Sequence, residues 1–193
     1  MLRTLLTLTL LSQSLTARTM STLSRFGSQH KAIWLYKSEP SEFGIDDLAA
    51  CEDQTDMWDG VRSHVAKKNI EAGKPGDLVL FYHSNNKKET GIAGVARITS
   101  ESYVDPTDET GKFKAIDMKF VEKWSHPVTL IQIKAEKETN DVIANMQLFT
   151  TARLSVQEVM PEAFEIIEDM RIANEEAAGS PGSEPAAKKA KTK

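Results

Sequence analysis

Three short segments combine an aromatic residue with hydrogen-bonding side chains where the sequence pattern predicts a strand end or a turn. They are Trp34–Pro40 (WLYKSEP), Trp58–Ser63 (WDGVRS) and Phe81–Asn85 (FYHSN). This combination suits a flat polar ring, because stacking supplies affinity and a few fixed donors and acceptors select one edge of the ring. Stacking one base on an aromatic side chain contributes about 1–3 kcal/mol. The segments therefore predict a polar-aromatic pocket that could hold a single base.

Each of these residues also has a plain structural explanation. Trp58 and Tyr82 could be core residues, because most aromatic side chains are buried. Residues 83–85 could simply cap the end of a strand. The residue types alone therefore leave a pocket and a packed core as alternatives.

Other chemistries have weaker support in the sequence. The chain has no Gly-rich phosphate loop and no G-x-S-x-G motif, and Cys51 lies in an acidic stretch that would raise its thiol pKa. Metal binding is not predicted, because the four histidines lack the spacing of metal ligands. These histidines are His30, His64, His83 and His126. We therefore expect no catalytic residues, no metal and no cofactor.

Hydrophobic periodicity and turn residues predict short helices alternating with strands. The predicted strands cover residues 32–37, 77–83, 91–98, 115–122 and 154–159. The predicted helices cover residues 46–50 (with Ser41 as the N-cap), 61–72, 128–134 and 142–147, and a last one begins at Pro161. Because regular βαβ repeats are missing, we expect an α+β domain with a small mixed or barrel-like sheet.

The charge distribution is uneven along the 193 residues. The net charge is −4, but residues 1–31 carry four basic and no acidic residues and residues 173–193 carry a net charge of +1. Residues 32–172 therefore carry −9, so long-range attraction to a polyanion cannot be the main source of affinity. Nucleic-acid binding would have to depend on a local site.

The two ends of the chain have compositions typical of targeting segments. Residues 1–31 form a leader, and residues 1–26 are rich in Leu, Ser and Thr with spaced arginines, which is typical of a mitochondrial transit peptide unless Met20 is the true start. Residues 173–193 are predicted to be disordered, and their Lys cluster resembles a nuclear localisation signal. That cluster comprises Lys188, Lys189 and Lys191. We expect a nuclear protein, with the mitochondrion as the alternative, and no membrane span.

The ordered middle of the chain, residues 32–172, resembles the EVE domain of the thymocyte nuclear protein family. The matching strings include WLYKSEPSEFGIDDL (34–48), WDGVRSHVAKKNI (58–70), KPGDLVLFYHSN (74–85) and ARLSVQEVMPEAFEII (152–167). The resemblance implies a PUA-like fold, a small mixed β-barrel flanked by short helices and related to YTH domains. It further implies a monomeric, non-enzymatic module that binds a modified base in nucleic acid, with modified cytosine in DNA favoured and RNA as the alternative.

The resemblance also implies which residues form the pocket. By analogy with the YTH cage, Trp58 would be a stacking wall, whereas Asp59 and Arg62 would hold the turn. The base-binding residues implied are Lys37, Ser38, Trp58, Ser63, Tyr82, His83, Ser84 and Asn85. The family's usual Asn-Tyr-Gln is replaced here by residues 63–65 (Ser-His-Val), which removes an amide that could read a base edge.

Two other functions remain open at this level. One is an enzyme acting on a nucleobase or nucleotide with His83 as its base. The other is a protein-interaction module whose pocket is vestigial and whose tails carry the function.

Overall fold

The strands form one mixed sheet. The structure is a computed structural model that describes residues 25–27, 32–85 and 90–179. Its strands are β1 (Ile33–Ser38), β2 (Thr55–Trp58), β3 (Leu78–His83), β4 (Gly91–Ile98), β5 (Tyr103–Val104), β6 (Lys114–Thr129) and β7 (Val156–Val159). Their order is β2-β6-β4-β3-β1-β7, with β5 paired to β6. The α+β class with a mixed sheet is confirmed, but the expected barrel is not closed.

Six helices and one 3₁₀ turn (Glu52–Gln54) connect the strands within the described residues. The helices are α1 (Ile45–Ala50), α2 (His64–Ala72), α3 (Leu130–Lys137), α4 (Asp141–Ala144), α5 (Gln147–Thr150) and α6 (Pro161–Gly179). Helix α1 begins after Gly44 rather than after the predicted cap Ser41. Helix α2 begins three residues later than predicted, because the Ser63 side chain caps it by accepting a hydrogen bond from the Ala66 N–H.

The sheet buries both of its faces, and the side-chain alternation of the strands separates two cores. On β3, Leu80 and Tyr82 belong to the core covered by α6. Phe81 belongs to the other core, together with Trp58 and residues of α1 and α2. Because successive strand residues point to opposite faces, Tyr82 and Trp58 lie on different sides of the sheet.

Strand β6 is twice as long as predicted, because it continues through residues 123–129 before α3 starts. Its Thr129 caps α3 together with Gln132 in a capping box. The backbones of β4 and β6 approach closely at Gly94, since a Cβ there would clash with the carbonyl oxygen of Glu122.

Two described segments, residues 25–27 and 173–179, lie outside the domain boundaries predicted at residues 32 and 172 yet pack against the domain. Phe26, placed in the leader by sequence, is buried and packs edge-to-face on Phe164 with ring centroids 5.9 Å apart. Helix α6 continues through Gly179, and Asn174 donates a hydrogen bond to the Pro127 carbonyl. Residues 173–179 are therefore helical, and disorder there was a wrong expectation. Residues 1–24 and 28–31 of the leader and the Lys188–Lys191 cluster lie outside the described residues.

Candidate functional site

A cleft with a volume of about 800 Å³ opens where β1 and β2 converge. It is lined by residues 37–39, 42–43, 56–62, 84, 152–153 and 155. Its volume falls in the roughly 300–1,000 Å³ range of small-molecule sites. In the strand order β1 and β2 are separated by three strands, yet the rings of Tyr36 and Trp58 lie 5.3 Å apart. The curl of the sheet therefore creates the cleft.

Trp58 is both a core residue and a cleft residue. It is only 7% exposed, and its ring meets Phe81 edge-to-face at 5.5 Å. It nevertheless lines the cleft. The sequence left a core role and a pocket role open as alternatives for Trp58, and in the structure the residue has both.

Phe43 is a second aromatic residue of the cleft, which the sequence reasoning missed. It is partly exposed, and its ring lies edge-on to Trp58 with centroids 6.5 Å apart. The only sequence signal is an aromatic residue inside the polar loop between β1 and α1. The residues around Phe43 show no hydrophobic periodicity, so periodicity could not identify it as a site residue.

Lys37 lines the cleft at the end of β1. Its Nζ donates to the Ala152 carbonyl at 3.0 Å and lies 5.7 Å from the centre of the Tyr82 ring. Burial lowers the pKa of Lys37 to about 8, because no carboxylate among the described residues pairs with the ammonium group. Arg153, next to Ala152, also lines the cleft and is exposed.

Ser38 and Ser84 line the cleft and are tied to each other. The Ser84 N–H donates to the Ser38 carbonyl at 2.7 Å. The Ser38 hydroxyl donates to the Phe43 carbonyl at 2.6 Å. Each hydroxyl oxygen keeps acceptor capacity toward a ligand, whereas its proton is already used.

His83 and Asn85 lie behind the cleft wall rather than on it. The Nε2 of His83 accepts a hydrogen bond from the Ile45 N–H at 3.1 Å. Asn85 has a left-handed φ of 55°, and its amide donates to the Glu39 carboxylate. Both side chains therefore hold the 39–45 loop in place against the end of β3.

Tyr82 and Ser63 lie farther from the cleft than expected. Tyr82 is buried on the opposite face of the sheet, where burial raises its pKa to about 12. Ser63 is used as the cap of α2. Of the eight predicted base-binding residues, the structure brings together Lys37, Ser38, Trp58 and Ser84 around the cleft.

The turn after β2 is held by the buried carboxylate of Asp105. This carboxylate accepts from the Arg62 guanidinium at 2.6 Å and from the Gly60 N–H at 3.0 Å. Burial alone would raise the pKa of Asp105, but hydrogen bonds from Thr107 and Arg62 hold it below its usual value. Arg62 therefore holds the turn, as predicted, by pairing with Asp105. Arg62 also lines the cleft.

Metal and thiol chemistry find little support in the described part of the chain. Within residues 25–27, 32–85 and 90–179, no group of three or more His, Cys, Asp or Glu side chains could hold a metal ion. Desolvation and the nearby Asp56 carboxylate raise the pKa of Cys51, as its acidic neighbourhood predicts.

The EVE domain family model matches residues 32–170 of this chain. The chain belongs to the EVE domain family. Human thymocyte nuclear protein 1 is 36% identical over 161 residues, which cover 69% of this chain and 71% of the relative. The same protein from mouse is 34% identical over 174 residues, covering 76% of each chain. The resemblance inferred from the motifs is thereby confirmed.

Solved structures share the fold over most of the domain. The human THYN1 protein in complex with 5-methylcytosine-containing DNA is 35% identical, with a TM-score of 0.67 over 73% of this chain and 98% of that one. A hypothetical protein from Leishmania major is 39% identical, with a TM-score of 0.66 over 75% of this chain and 96% of that one.

Proposed function

We propose that this chain is a monomeric, non-enzymatic nucleic-acid-binding protein that reads a modified base, with 5-methylcytosine in DNA as the favoured ligand. The observation that carries the proposal is the cleft beside Trp58 and Phe43 in a fold shared with a protein solved on 5-methylcytosine-containing DNA. Modified cytosine in RNA is the alternative ligand.

The cleft has the parts that single-base recognition requires. Extruding a base from a duplex costs a few kcal/mol. Stacking on an aromatic side chain returns about 1–3 kcal/mol, so polar contacts must supply the rest. Carboxylates such as Asp59 accept hydrogen bonds from the cytosine amine, and the hydroxyls of Ser38 and Ser84 add further acceptors.

We assign different roles to the eight residues predicted from sequence. Lys37, Ser38, Trp58 and Ser84 are proposed to contact the nucleotide, because they line the cleft. Ser63, Tyr82, His83 and Asn85 are proposed to position its walls through the contacts described above. In particular, His83 is engaged by the Ile45 N–H, which disfavours its use as the general base of an enzyme.

The test compares two oligonucleotides that differ only in one 5-methylcytosine. Wild type is expected to bind the methylated strand more tightly. Phe43→Leu should weaken that binding about 5- to 30-fold, because a stacking surface worth about 1–2 kcal/mol is lost. Phe149→Leu is the matched control, since Phe149 packs against the other core.

Equal wild-type affinity for the two oligonucleotides, unaltered by Phe43→Leu, would refute the proposed function. Trp58→Phe adds a milder probe than alanine, because removing a buried Trp side chain costs about 3–5 kcal/mol of stability. Thermal unfolding of every variant establishes that the compared proteins are folded.

We further propose that the protein acts in the nucleus, as the name of its curated relatives says of them. Within the described residues no helix is long and apolar enough to cross a membrane. Imaging tagged full-length and Met20-start forms, with and without Lys188, Lys189 and Lys191 changed to Ala, tests this location. Mitochondrial signal from the full-length form would overturn it.

A further inference from the structure

The cleft is lined by both cations and carboxylates, on a domain that is acidic overall. Three cations line it: Lys37, Arg62 and Arg153. Arg62 is neutralised by Asp105. Lys37 and Arg153 make no salt bridge with any described residue, so their charge is available to an anion.

Lys37 and Arg153 share one wall of the cleft. The Lys37 N–H donates to the Ser155 carbonyl at 2.9 Å, and its Nζ donates to the Ala152 carbonyl at 3.0 Å. These two hydrogen bonds fix the segment before β7 against the end of β1. Arg153 is therefore held next to Lys37, because the preceding residue, Ala152, accepts the hydrogen bond from Lys37 Nζ.

Four carboxylates also line the cleft, those of Glu39, Glu42, Asp56 and Asp59. Asp56 and Asp59 line the cleft from β2 and the turn that follows it. Like charges repel, so a phosphodiester is disfavoured beside Asp56 and Asp59 and favoured beside Lys37 and Arg153. The Glu39 carboxylate, which also lines the cleft, already accepts a hydrogen bond from Asn85. The ammonium group of Lys37 is incompletely solvated, and its hydrogen-bond partner among the described residues is a carbonyl, so it gains most from a phosphate oxygen.

We propose that Arg153 and Lys37 bind the backbone phosphate of the nucleotide whose base occupies the cleft. This inference rests on the proposed function and deepens it, because it separates the wall that holds the strand from the wall that reads the base. Phosphate contacts position a protein without carrying sequence information. The two cations therefore supply affinity that is the same for methylated and unmethylated strands.

The test measures affinity for the two oligonucleotides over a series of NaCl concentrations. Arg153→Ala and Lys37→Met are each expected to weaken both complexes about 5- to 30-fold at low salt. Each should also reduce the slope of log K against log salt by about one, because one fewer counterion is released. The matched control is Lys134→Ala, which removes an exposed charge on α3 away from the cleft.

The outcomes distinguish this inference from the function it rests on. If both cleft variants keep the affinity and salt slope of Lys134→Ala, the phosphate site is refuted, while methyl preference of the wild type still supports base reading. A variant that changes methyl preference at constant salt slope also refutes it, because the cation then contacts the base. If the wild type lacks methyl preference, the proposed function fails, and the salt slopes still decide the phosphate contact.

Discussion

At the residue scale, Lys37 shows the tension between stability and binding most clearly. Its ammonium group is partly buried, and its hydrogen-bond partner in the structure is the Ala152 carbonyl. A charged group without a carboxylate partner loses more hydration than it regains. Functional sites often retain such destabilising groups, because their charge is needed by a ligand.

We predict that Lys37→Met raises the free energy of unfolding by about 1 kcal/mol at pH 7, after allowance for solvent screening. Burial lowers the pKa of Lys37 from 10.5 to about 8 in the folded state. Between these pH values the unfolded state binds more protons, so the cost of the wild-type Lys is complete below pH 8 and fades toward pH 10.5.

Urea denaturation at pH 7 and pH 10 measures this effect. The advantage of Lys37→Met should shrink at the higher pH. Tyr82, the nearby phenol with a pKa of about 12, stays neutral throughout that range. An advantage that is equal at both pH values would contradict the assignment to the ammonium group.

At the element scale, the turn between β2 and α2 depends on a loop from elsewhere in the chain. Asp105 follows β5 and lies 45 residues after Gly60. Its carboxylate accepts a hydrogen bond from the Gly60 N–H. Gly60 has a φ of +70°, which a non-glycine residue rarely adopts. The conformation of this cleft wall is thus set jointly by a local glycine and a distant carboxylate.

We predict that Asp105→Asn lowers the free energy of unfolding by about 2–3 kcal/mol at pH 7, because the charge that Arg62 pairs with is lost. The pKa of Asp105 is held below its usual value, so its contribution is complete above about pH 4 and is lost as the pH falls through the folded-state pKa. The difference between wild type and variant should therefore narrow at pH 3 in chemical denaturation. A constant difference down to pH 2 would show that shape, not charge, matters at this position.

At the scale of the whole molecule, the domain includes more of the chain than the family match. Residues 25–27 precede the matched region, yet Arg25 donates to Glu122 at 2.8 Å and to Glu168 at 2.7 Å. Glu168 on α6 is fully buried, and desolvation raises its pKa despite Arg25 and Arg171. Arg25 thus helps to neutralise a buried charge between β6 and α6.

We predict that Arg25→Ala lowers the free energy of unfolding by about 1–2 kcal/mol, because Arg171 is then the one ion-pair partner of Glu168 among the described residues. Adding Glu168→Gln should restore part of that loss, since the buried charge is removed. Lys67→Ala is the control, as it breaks only the more exposed pair with Glu71 and should cost less than about 0.5 kcal/mol. Strictly additive losses in the double variant would argue against the coupling.

Much of the fold follows from local sequence patterns. The apolar runs of β1, β3 and β4 and the first-turn proline of α6 are short-range signals. The predicted bounds of the three strands and the predicted start of α6 agree with the structure to within one residue. The two residues of β5 and the extension of β6 carry no such signal, because their pairing partners rather than their own composition decide them.

The sequence by itself determined the family, the order of five of the seven strands and the residue types available for base recognition, but it did not predict β2 or β5. The tertiary structure alone decided which of them meet. It placed Tyr82 on the far side of the sheet from Trp58, brought Phe43 into the cleft and set Lys37 beside a carbonyl 115 residues away. The physical reason is that periodicity and capping act over a few residues, whereas a curled sheet joins its distant strands through contacts that no local pattern encodes.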